Sequence, residues 1–419
     1  MGNRDREKEQ SDSKSLTRRR LLATGSSAAL GISSGLAARA AQDFSEFDRD
    51  TPSTLPDYDN PDIDRPPTDF SGLQTPRRKP VQSGADISAR WTRLADMPMP
   101  VQEIYPAPFW TRDVSLTQTR KSVQTQRYNI LVNAGGITGV RDGLVTATDR
   151  VFTYEPISDR WTEVSHLPEA CHHLHLVPHN DSLYAIGGFT TARYRREPAN
   201  YGWRMRTDVH RIDNLNRRWQ SMTPLPSPQA EAVCVSLNGI IHIVGGRAPI
   251  GSQNSRWTDH LDTDRHLAFD ERSNSWVDLA PMSEPRNSAA GVAIRGVIYM
   301  FGGRKVNGRN LNISEAYDPL ADRWQLMRPM PVAQAGLAAA ALGSTIFVFG
   351  GEYFENGGGV YSRVWAYDTR EDRWHDAGTM PTPKHGLGAV AMNNAIYVMG
   401  GATSPGGTGT SSGLERLMR

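Results

Sequence analysis

The 419-residue chain has only two cysteines, little net charge and no long apolar run. A formal net charge of +2 gives no reason to expect a nucleic acid or a membrane surface as a partner. No internal apolar run approaches the roughly 20 residues that a membrane-spanning helix needs, so no membrane span is predicted. These absences leave a globular or repetitive protein whose organisation must be read from what recurs.

A doubled glycine recurs six times, each time after a short apolar run. By subtraction, the gaps between successive pairs are 52, 58, 57, 48 and 50 residues, which indicates one supersecondary unit repeated along the chain. The six pairs are Gly135-Gly136, Gly187-Gly188, Gly245-Gly246, Gly302-Gly303, Gly350-Gly351 and Gly400-Gly401.

Each repeat has the same internal order of signals. An aromatic-acid pair such as Tyr317-Asp318 follows the glycines, and a tryptophan such as Trp324 comes some six residues later, before a Met-Pro or Leu-Pro. The apolar runs are short, rich in β-branched and aromatic residues, and bounded by Gly, Pro, Asn and Asp, which is typical of strands. Four strands per unit, with the glycine pair ending the second, predict a blade of a β-propeller.

This order resembles the Kelch repeat over roughly residues 88–419, and the resemblance implies an all-β, six-bladed propeller. The last glycine pair has no tryptophan after it, whereas Trp91 has no glycine pair before it. Residues 91–98 match residues 324–331, so we expect the Trp91 strand to be the outer strand of the last blade, next to a weak third strand at Leu414–Leu417. A ring closed in this way has no open edge, and a monomer is expected.

The first 87 residues are predicted to lie outside the propeller. Residues 1–40 resemble a twin-arginine export signal, with Arg18-Arg19-Arg20 before an apolar stretch and Ala38-Arg39-Ala40 as a cleavage site. The alternative is a basic disordered tail before an amphipathic helix. Residues 41–87 are rich in Pro and Asp and predict a disordered linker. The expected location is the periplasm or the exterior.

The two cysteines are predicted to be buried thiols. Cys171 and Cys234 precede their own glycine pairs by different distances, sixteen and eleven residues by subtraction. They therefore lie at different depths of neighbouring blades, which disfavours a disulfide.

The repeat register predicts a ring of polar side chains at one mouth of the channel. The loops that enter the first strands meet the loops that leave the second strands at this mouth. Three positions, counted from each glycine pair, should therefore share that face: sixteen residues before it, fifteen residues before it, and directly after it. Glu352 is the one carboxylate in this set. The candidate residues are His172, Phe189, Arg247, Arg286, Asn287, Arg304, Gln334, Glu352, Lys384 and His385.

Three interpretations of this ring remain open. Arginine forks and amides suit sugar hydroxyls and carboxylates, with Phe189, Trp110 or Tyr353 available to stack on a sugar face. Alternatively, the charged residues merely pair across neighbouring blades. The third is a metal site, for which strand alternation places Cys171, His173 and His175 on one face. Interior histidines bonded to the backbone fit that segment better, so no metal or other cofactor is predicted.

Two exported enzyme families share the propeller architecture. The copper-radical oxidases of the galactose oxidase type have seven blades and a Tyr-Cys crosslink, which this sequence does not match. The periplasmic N-acetylneuraminate epimerases are similar in blade number, length and export. That resemblance lies in the repeat rather than in individually matched catalytic residues, and it implies a sugar mutarotase or epimerase. For such an activity the repeat register suggests Glu352 as base, His172 or His385 as acid, and Arg247 and Arg304 holding a substrate carboxylate.

The alternative function is a non-catalytic exported module that binds a protein or glycan. Kelch propellers are often recognition platforms, and two long loops here are basic and aromatic. They span Phe189–Asp208 and Ala248–Asp264. For an exported chain, a nucleic acid partner is not expected.

Overall fold

The computed structural model describes residues 90–113, 126–141, 144–191, 202–306 and 309–418. Within residues 111–113 and 126–129 only the backbone is described. The predicted export signal and the whole of the predicted linker lie outside the described residues.

Six antiparallel sheets, each of four main strands, form the blades. Blade 1 consists of Ala107–Asp113, Gln126–Ala134, Arg150–Glu155 and Arg160–His166. Blade 2 consists of His175–His179, Ser182–Ile186, Val209–Ile212 and Gln220–Ser221. Blade 3 consists of Val233–Leu237, Ile240–Val244, His266–Asp270 and Ser275–Leu279. Blade 4 consists of Ala290–Ile294, Val297–Phe301, Ser314–Asp318 and Arg323–Met327.

The last two blades have longer inner strands. Blade 5 consists of Ala335–Leu342, Thr345–Tyr353, Arg363–Asp368 and Arg373–Thr379, with Gly359–Val360 added beside its second strand. Blade 6 consists of His385–Met392, Ala395–Ala402, Leu414–Met418 and Arg90–Arg93. The third strand of blade 6, expected to be weak, is a regular strand.

Short strands and turns extend three blades beyond their sheets. Cys171–His172, Phe189–Thr190 and Arg204–Met205 form one small sheet. Arg247–Pro249 pairs with His260–Asp262, and Ile137–Arg141 pairs with Leu144–Ala147. The helical segments among the described residues are the two 3₁₀ turns Trp257–Asp259 and Glu355–Gly357. No helix in the described part of the chain is long and apolar enough to cross a membrane.

The first strands of neighbouring blades contact one another all the way round, and blade 6 contacts blade 1. This closes a ring around a narrow channel, where a cavity of about 100 Å³ is lined by Tyr105, Cys234 and small residues of the first strands. We call the end at which the first strands begin and the second strands end the mouth face. The hydrophobic core is divided among the spaces between blades, as in the cluster that joins Phe347 of blade 5 to Val398 of blade 6.

The N-terminal strand closes the last blade, as the sequence predicts. Arg90–Arg93 runs antiparallel to Leu414–Met418, with Trp91 opposite Leu417. The indole of Trp91 packs edge-on against Phe349 of blade 5, with ring centroids 6.1 Å apart. The six-bladed, all-β propeller closed by Trp91 is therefore confirmed.

The glycine pairs are required by the approach of the next blade. Gly187 has φ +62°, and a Cβ there would lie 2.7 Å from the carbonyl oxygen of Gln229 in the following blade. The second glycine of other pairs donates a backbone hydrogen bond to the same kind of carbonyl, as Gly246 does to Arg286 at 2.8 Å. A side chain would push the blades apart, which explains why each repeat carries the pair.

The tyrosine of the aromatic-acid pair, the aspartate two residues before the tryptophan and the tryptophan itself form a latch between the outer edges of neighbouring blades. In blade 5, Asp372 accepts hydrogen bonds from the hydroxyl of Tyr367 and from the backbone N–H of Arg328 in blade 4, at 2.6 and 2.9 Å. Trp374 Nε1 donates to the carbonyl of Arg328 at 2.9 Å. Blades 1 and 4 carry the same latch through Asp159 and Asp322.

Candidate functional site

At the mouth face, the residue after each glycine pair lies opposite the residue that opens the first strand. The register expected from the sequence is therefore present in the backbone of five blades. Blade 1 has the same pairing through Gln102, which its irregular sequence concealed. The six pairs are Gln102–Ile137, His172–Phe189, Ala230–Arg247, Asn287–Arg304, Ala335–Glu352 and His385–Ala402.

The next residue along each chain segment has a left-handed backbone. The φ angle is between 50° and 55° at Glu103, His173, Glu231, Ser288 and Gly386, and 67° at Gly336. Such a conformation is strained for residues with a side chain, and it breaks the alternation of a strand. The break brings the Glu103, His173, Glu231 and Ser288 side chains into contact with one another around the mouth.

These side chains form a closed circuit that receives a residue from every blade. Its first half runs from Glu103 Oε2 to His173 Nε2 at 3.0 Å, and from His173 to Glu231 Oε1 at 3.9 Å. The Ser288 hydroxyl then lies 2.8 Å from Glu231 Oε2 and 2.9 Å from Asn287 Oδ1.

The second half of the circuit returns through the residues predicted from the register. Arg304 Nε lies 3.4 Å from Asn287 Oδ1, and its Nη1 donates to Glu352 Oε1 at 2.7 Å. His385 Nδ1 lies 3.4 Å from Glu352 Oε2 and 3.5 Å from Glu103 Oε1, which closes the loop. We call these eight residues the mouth circuit: Glu103, His173, Glu231, Asn287, Ser288, Arg304, Glu352 and His385.

The mouth circuit is largely buried, and solvent reaches two of its charged members. The side chains of Glu103 and Arg304 are 13% and 10% exposed, whereas those of Glu231 and His385 are 0% and 1% exposed. Beside Arg304 lies the ring of Phe354, 5.8 Å from its guanidinium carbon and half exposed to solvent. A ligand at the mouth would therefore meet Glu103, Arg304 and Phe354 first.

Charged neighbours in the circuit shift the pKa values of Glu103 and His385. Burial raises the pKa of the Glu103 carboxyl, but contacts with His173 and His385 outweigh burial and hold it well below its usual range. Burial lowers the pKa of His385, but the hydrogen bond and charge of Glu103, with the charge of Glu352, leave it raised. His385 also lies 3.0 Å from the Ser404 carbonyl through Nε2, so both nitrogens face acceptors, as suits an imidazolium.

His172 lies outside the circuit in an aromatic cluster. Burial and the neighbouring His173 lower its pKa to about 3, so the ring is neutral near pH 7. Its Nε2 lies 2.5 Å from the Gly202 carbonyl and its Nδ1 2.7 Å from His173 Nδ1, so both nitrogens are engaged. The ring stacks on Phe189 and meets Trp203 edge-on. His172 and Phe189 are therefore packed together, with Phe189 fully buried.

Arg247 links this aromatic cluster to the circuit. Its guanidinium lies 3.4 Å from the ring centre of Trp257, donates to the Trp257 carbonyl, and lies 3.8 Å from Glu231. Burial lowers the pKa of Arg247, although it remains a cation at any ordinary pH. The Arg247 side chain is fully buried, and its contacts with the ring and the carbonyl of Trp257 stabilise the loop that carries this tryptophan.

Three predicted binding residues have partners inside their own blades. Gln334 Nε2 donates to the Gly350 carbonyl at 2.8 Å. Arg286 forms a buried ion pair with Glu315 at 2.5 Å, and Lys384 lies 3.3 Å from Glu415. All three are fully buried. Their polar groups hold together strands behind the mouth.

The segment that raised the question of a metal does not follow strand alternation. Cys171 and Cys234 are free thiols, and burial raises the pKa of Cys171 to about 12. The left-handed turn at His173 directs that residue into the mouth circuit, where it contacts Glu103 and Glu231. No group of three His, Cys, Asp or Glu side chains arranged to hold a metal occurs among the described residues.

Sequence reasoning missed two of the three carboxylates of the mouth circuit. Glu231 occupies the position fourteen residues before a glycine pair, one beyond the positions considered, and His173 occupies the same position in blade 2. Glu103 was hidden because blade 1 has no regular register. The predicted set contained one carboxylate, whereas the mouth circuit contains three, which face Arg247, Arg304 and the histidines. Trp110, expected near the mouth, lines a cleft between blades 1 and 2 towards the opposite face.

Comparison with known proteins supports the repeat assignment. Residues 250–411, about two-fifths of the chain, match the KLHDC2/KLHL20/DRC7 Kelch-repeats domain. The chain is 31% identical over 147 residues to Kelch repeat and BTB domain-containing protein 12 of Danio rerio, covering 33% of this chain and 22% of that protein. It is 27% identical over 217 residues to human Kelch-like protein 23, covering 50% of this chain and 33% of that protein.

Other similar proteins extend the same conclusion. Alpha-scruin of Limulus polyphemus is 24% identical over 188 residues, covering 44% of this chain and 19% of that protein. The matched regions thus span between about a fifth and a third of these three relatives. The solved structure of YjhT superimposes with a TM-score of 0.59 and 14% identity, covering 76% of this chain and 95% of YjhT. At that identity the likeness concerns the fold.

Proposed function

We propose that this chain, a Kelch-repeat β-propeller, recognises a carbohydrate at its mouth face. The supporting observation is the mouth circuit itself. Donors and acceptors from all six blades converge there, and Glu103 and Arg304 are reached by solvent beside the exposed ring of Phe354. Sugar hydroxyls are both donors and acceptors, so they suit a carboxylate and a guanidinium together, while an aromatic ring can cover an apolar sugar face.

A sugar carboxylate fits the same site if it replaces Glu352 as the partner of Arg304. Arg304 Nη1 already donates to a carboxylate at 2.7 Å, which supports a carboxylate as the acceptor in a ligand. Arg247 is not assigned this role, because its guanidinium is buried on Trp257. Acidic sugars are therefore the first ligands to test, with neutral sugars as the comparison.

The catalytic form of this proposal is a sugar mutarotase or epimerase. His385, whose pKa is raised, would protonate the ring oxygen, and Glu352 or Glu103 would remove the proton of the anomeric hydroxyl. His172 is given no proton to transfer, because its two nitrogens are engaged by Gly202 and His173. His385, Glu103 and Glu352 already contact one another or Arg304. A ligand must therefore displace one of these contacts before proton transfer can occur.

Binding is tested by calorimetry on residues 41–419 with N-acetylneuraminate, glucuronate and glucose. We expect an acidic sugar to bind and to raise the melting temperature. Arg304→Ala should abolish that binding, whereas the control Arg323→Ala, at an exposed arginine in an outer strand, should leave it unchanged. If none of the sugars binds, or if Arg304→Ala binds like the parent, the mouth is not a sugar site.

Catalysis is tested separately by following anomeric interconversion of the bound sugar by NMR. Faster interconversion with the parent than with Glu352→Gln or His385→Asn would support a mutarotase. Binding without any acceleration over buffer would assign the protein to the non-catalytic class of recognition modules.

A macromolecular partner is a second candidate, because residues 202–208 of the first long loop and the second long loop form one surface. Asn254 exchanges two hydrogen bonds with the backbone of Met205, each 2.9 Å, and Trp203 packs edge-on against Trp257 with centroids 4.6 Å apart. Both tryptophans are partly exposed. Binding to immobilised heparin that is lost in Trp257→Ala and kept in Arg304→Ala would support an acidic glycan as partner. Retention of heparin binding in Trp257→Ala would count against it.

We propose that the protein is exported by the twin-arginine route to the periplasm or the exterior, on the basis of residues 15–40. A fusion of residues 1–40 to a folded fluorescent reporter should appear in the bacterial periplasm. Replacing Arg18, Arg19 and Arg20 by lysine should retain it in the cytoplasm. Periplasmic fluorescence that is unaffected by this replacement would exclude that route.

A further inference from the structure

The seam between blades 1 and 2 lacks the latch that joins blade 3 to 4, blade 4 to 5 and blade 6 to 1. Blade 2 has Ile212 and Arg217 at the sequence positions where blade 5 has the latch residues Tyr367 and Asp372. Trp219 Nε1 is buried without a hydrogen-bond partner, whereas Trp374 Nε1 in blade 5 donates to the neighbouring blade. The outer edges of blades 1 and 2 are therefore not drawn together by this device.

A cleft of about 700 Å³ opens at this seam, on the side away from the mouth face. Its walls are the first strand of blade 1 at Phe109 and Trp110, the hairpin turn of blade 2 at residues 180–182, and the turn at residues 213–217. That last turn is the segment in which other blades carry the latch carboxylate. The volume is within the range of roughly 300–1,000 Å³ that is usual for small-molecule sites.

The cleft combines an apolar floor with an exposed indole. Phe109, Ile130 and Leu215 belong to the hydrophobic core between blades 1 and 2, and their edges form the floor. Trp110 is 52% exposed at the side of the cleft. A large aromatic residue left half in solvent beside a formed cavity gives a flat surface on which a ligand ring can stack.

The rim of the cleft carries planar hydrogen-bonding groups and more carboxylates than cationic groups. Asn180, Asn214 and Asn216 contribute side-chain amides, of which Asn180 Nδ2 already donates to Glu271 Oε2 at 2.6 Å and Asn214 Oδ1 accepts from the backbone N–H of Asn216 at 2.9 Å. Ser182 also lines the cleft, but its hydroxyl is buried and accepts from Arg211 Nε at 2.9 Å. Arg217 faces Asp213 at 3.9 Å, so its charge is balanced within the rim, and Asp181 adds a further carboxylate. Amides in this number suit the hydroxyls of a sugar, and the acidic balance disfavours an anionic one.

We propose that this cleft between blades 1 and 2 is a second ligand site, for a neutral sugar of one or two rings. The apolar face of one ring stacks on Trp110, and its hydroxyls pair with the asparagine amides of the rim. The site is separate from the mouth circuit in residues and in face. This second site can be tested independently of the proposed function, because the substitutions that affect the cleft differ from those that affect the mouth circuit.

Saturation-transfer NMR on residues 41–419 tests the proposal, with cellobiose, lactose and N,N′-diacetylchitobiose as probes at millimolar concentration. At least one disaccharide should receive magnetisation from the protein. Trp110→Ala should weaken its binding about tenfold or more, and Trp110→Phe should keep most of it. Arg323→Ala, at an exposed arginine in the outer strand of blade 4, is the matched control and should bind the disaccharide like the parent. Absence of binding by all three probes, or equal binding by Trp110→Ala, overturns the proposal.

A second variant tests the place of the site without removing the stacking residue. The double substitution Ile212→Tyr with Arg217→Asp restores the two latch residues that blade 5 has, and should draw the rim of blade 2 towards blade 1. We expect weaker disaccharide binding together with a melting temperature at least equal to that of the parent. If this variant is folded by its melting curve and binds the disaccharide unchanged, the ligand does not lie in the cleft.

Discussion

Glu103 Oε1 lies 3.5 Å from Nδ1 of His385, although the two residues are 282 positions apart by subtraction. Glu103 leads into the first blade and His385 opens the last one, so this contact closes the ring at the channel. The pairing of Trp91 with Leu417 closes the same ring at the outer edge. The propeller thus has two closures, one electrostatic and one made of sheet and hydrophobic contacts.

The electrostatic closure predicts that Glu103→Gln destabilises the protein near pH 7. Loss of charge-assisted contacts with His173 and His385 should cost about 1–3 kcal/mol in the free energy of unfolding. Because the pKa of Glu103 is lowered in the folded state, its contribution is present above the unfolded-state pKa of about 4.3 and is lost as pH falls below it. The difference between parent and variant in urea unfolding should therefore shrink in acid. A difference that grows in acid would contradict the charge assignment.

The buried histidine His175 predicts that the free energy of unfolding falls in acid. Burial and the neighbouring His173 lower the pKa of His175 to about 3, and its Nε2 has no partner. Between about 6.5 and 3 the unfolded state takes up a proton that the folded state does not, so stability falls as pH falls. His175→Leu should reduce the slope of unfolding free energy against pH in this range by up to about 1.4 kcal/mol per pH unit. An unchanged slope in urea titrations at several pH values would show that His175 titrates in the fold.

The latch between blades predicts a stability cost at a solvent-facing turn. Asp372→Ala removes the acceptor for the Tyr367 hydroxyl and for the Arg328 backbone N–H, and should cost about 1–3 kcal/mol. The neighbouring exposed residue provides the control, since Glu371→Ala should change stability by less than about 0.5 kcal/mol. Equal melting temperatures for the two variants would show that the latch contributes nothing to stability.

The N-terminal closure predicts that Trp91→Ala is costly. The indole is partly buried in the core between blades 5 and 6, and its removal should lower the unfolding free energy by about 2–4 kcal/mol. Trp110→Ala is the control, because that indole is 52% exposed and should cost little. Deleting residues 1–98 should prevent a cooperative thermal transition, whereas deleting residues 1–85 should preserve it. A cooperative transition in the longer deletion would mean that blade 6 does not need its fourth strand.

The candidate site could be predicted only in part, and the reason lies in which contacts are local to a blade. Arg304, Glu352 and His385 were found because each keeps a fixed distance from its own glycine pair. Arg286 and Lys384 keep the same kind of distance, yet their ion pairs with Glu315 and Glu415 draw them back into their blades. The spacing from the glycine pair does not tell whether such a residue faces the mouth or pairs within its blade. That depends on a carboxylate in the third strand, Glu315 or Glu415, which lies about 30 residues further along the chain.

The sequence by itself determined the number of blades, the class of fold and the way the ring closes. Those features depend on signals repeated within each unit, such as the glycine pair whose Cβ space the next blade occupies, and on the one tryptophan displaced to the N-terminus. Only the tertiary structure decided the composition of the mouth. Glu103, His173 and Glu231 meet because left-handed turns in three different blades face one channel, and a contact between blades has no fixed spacing along the chain.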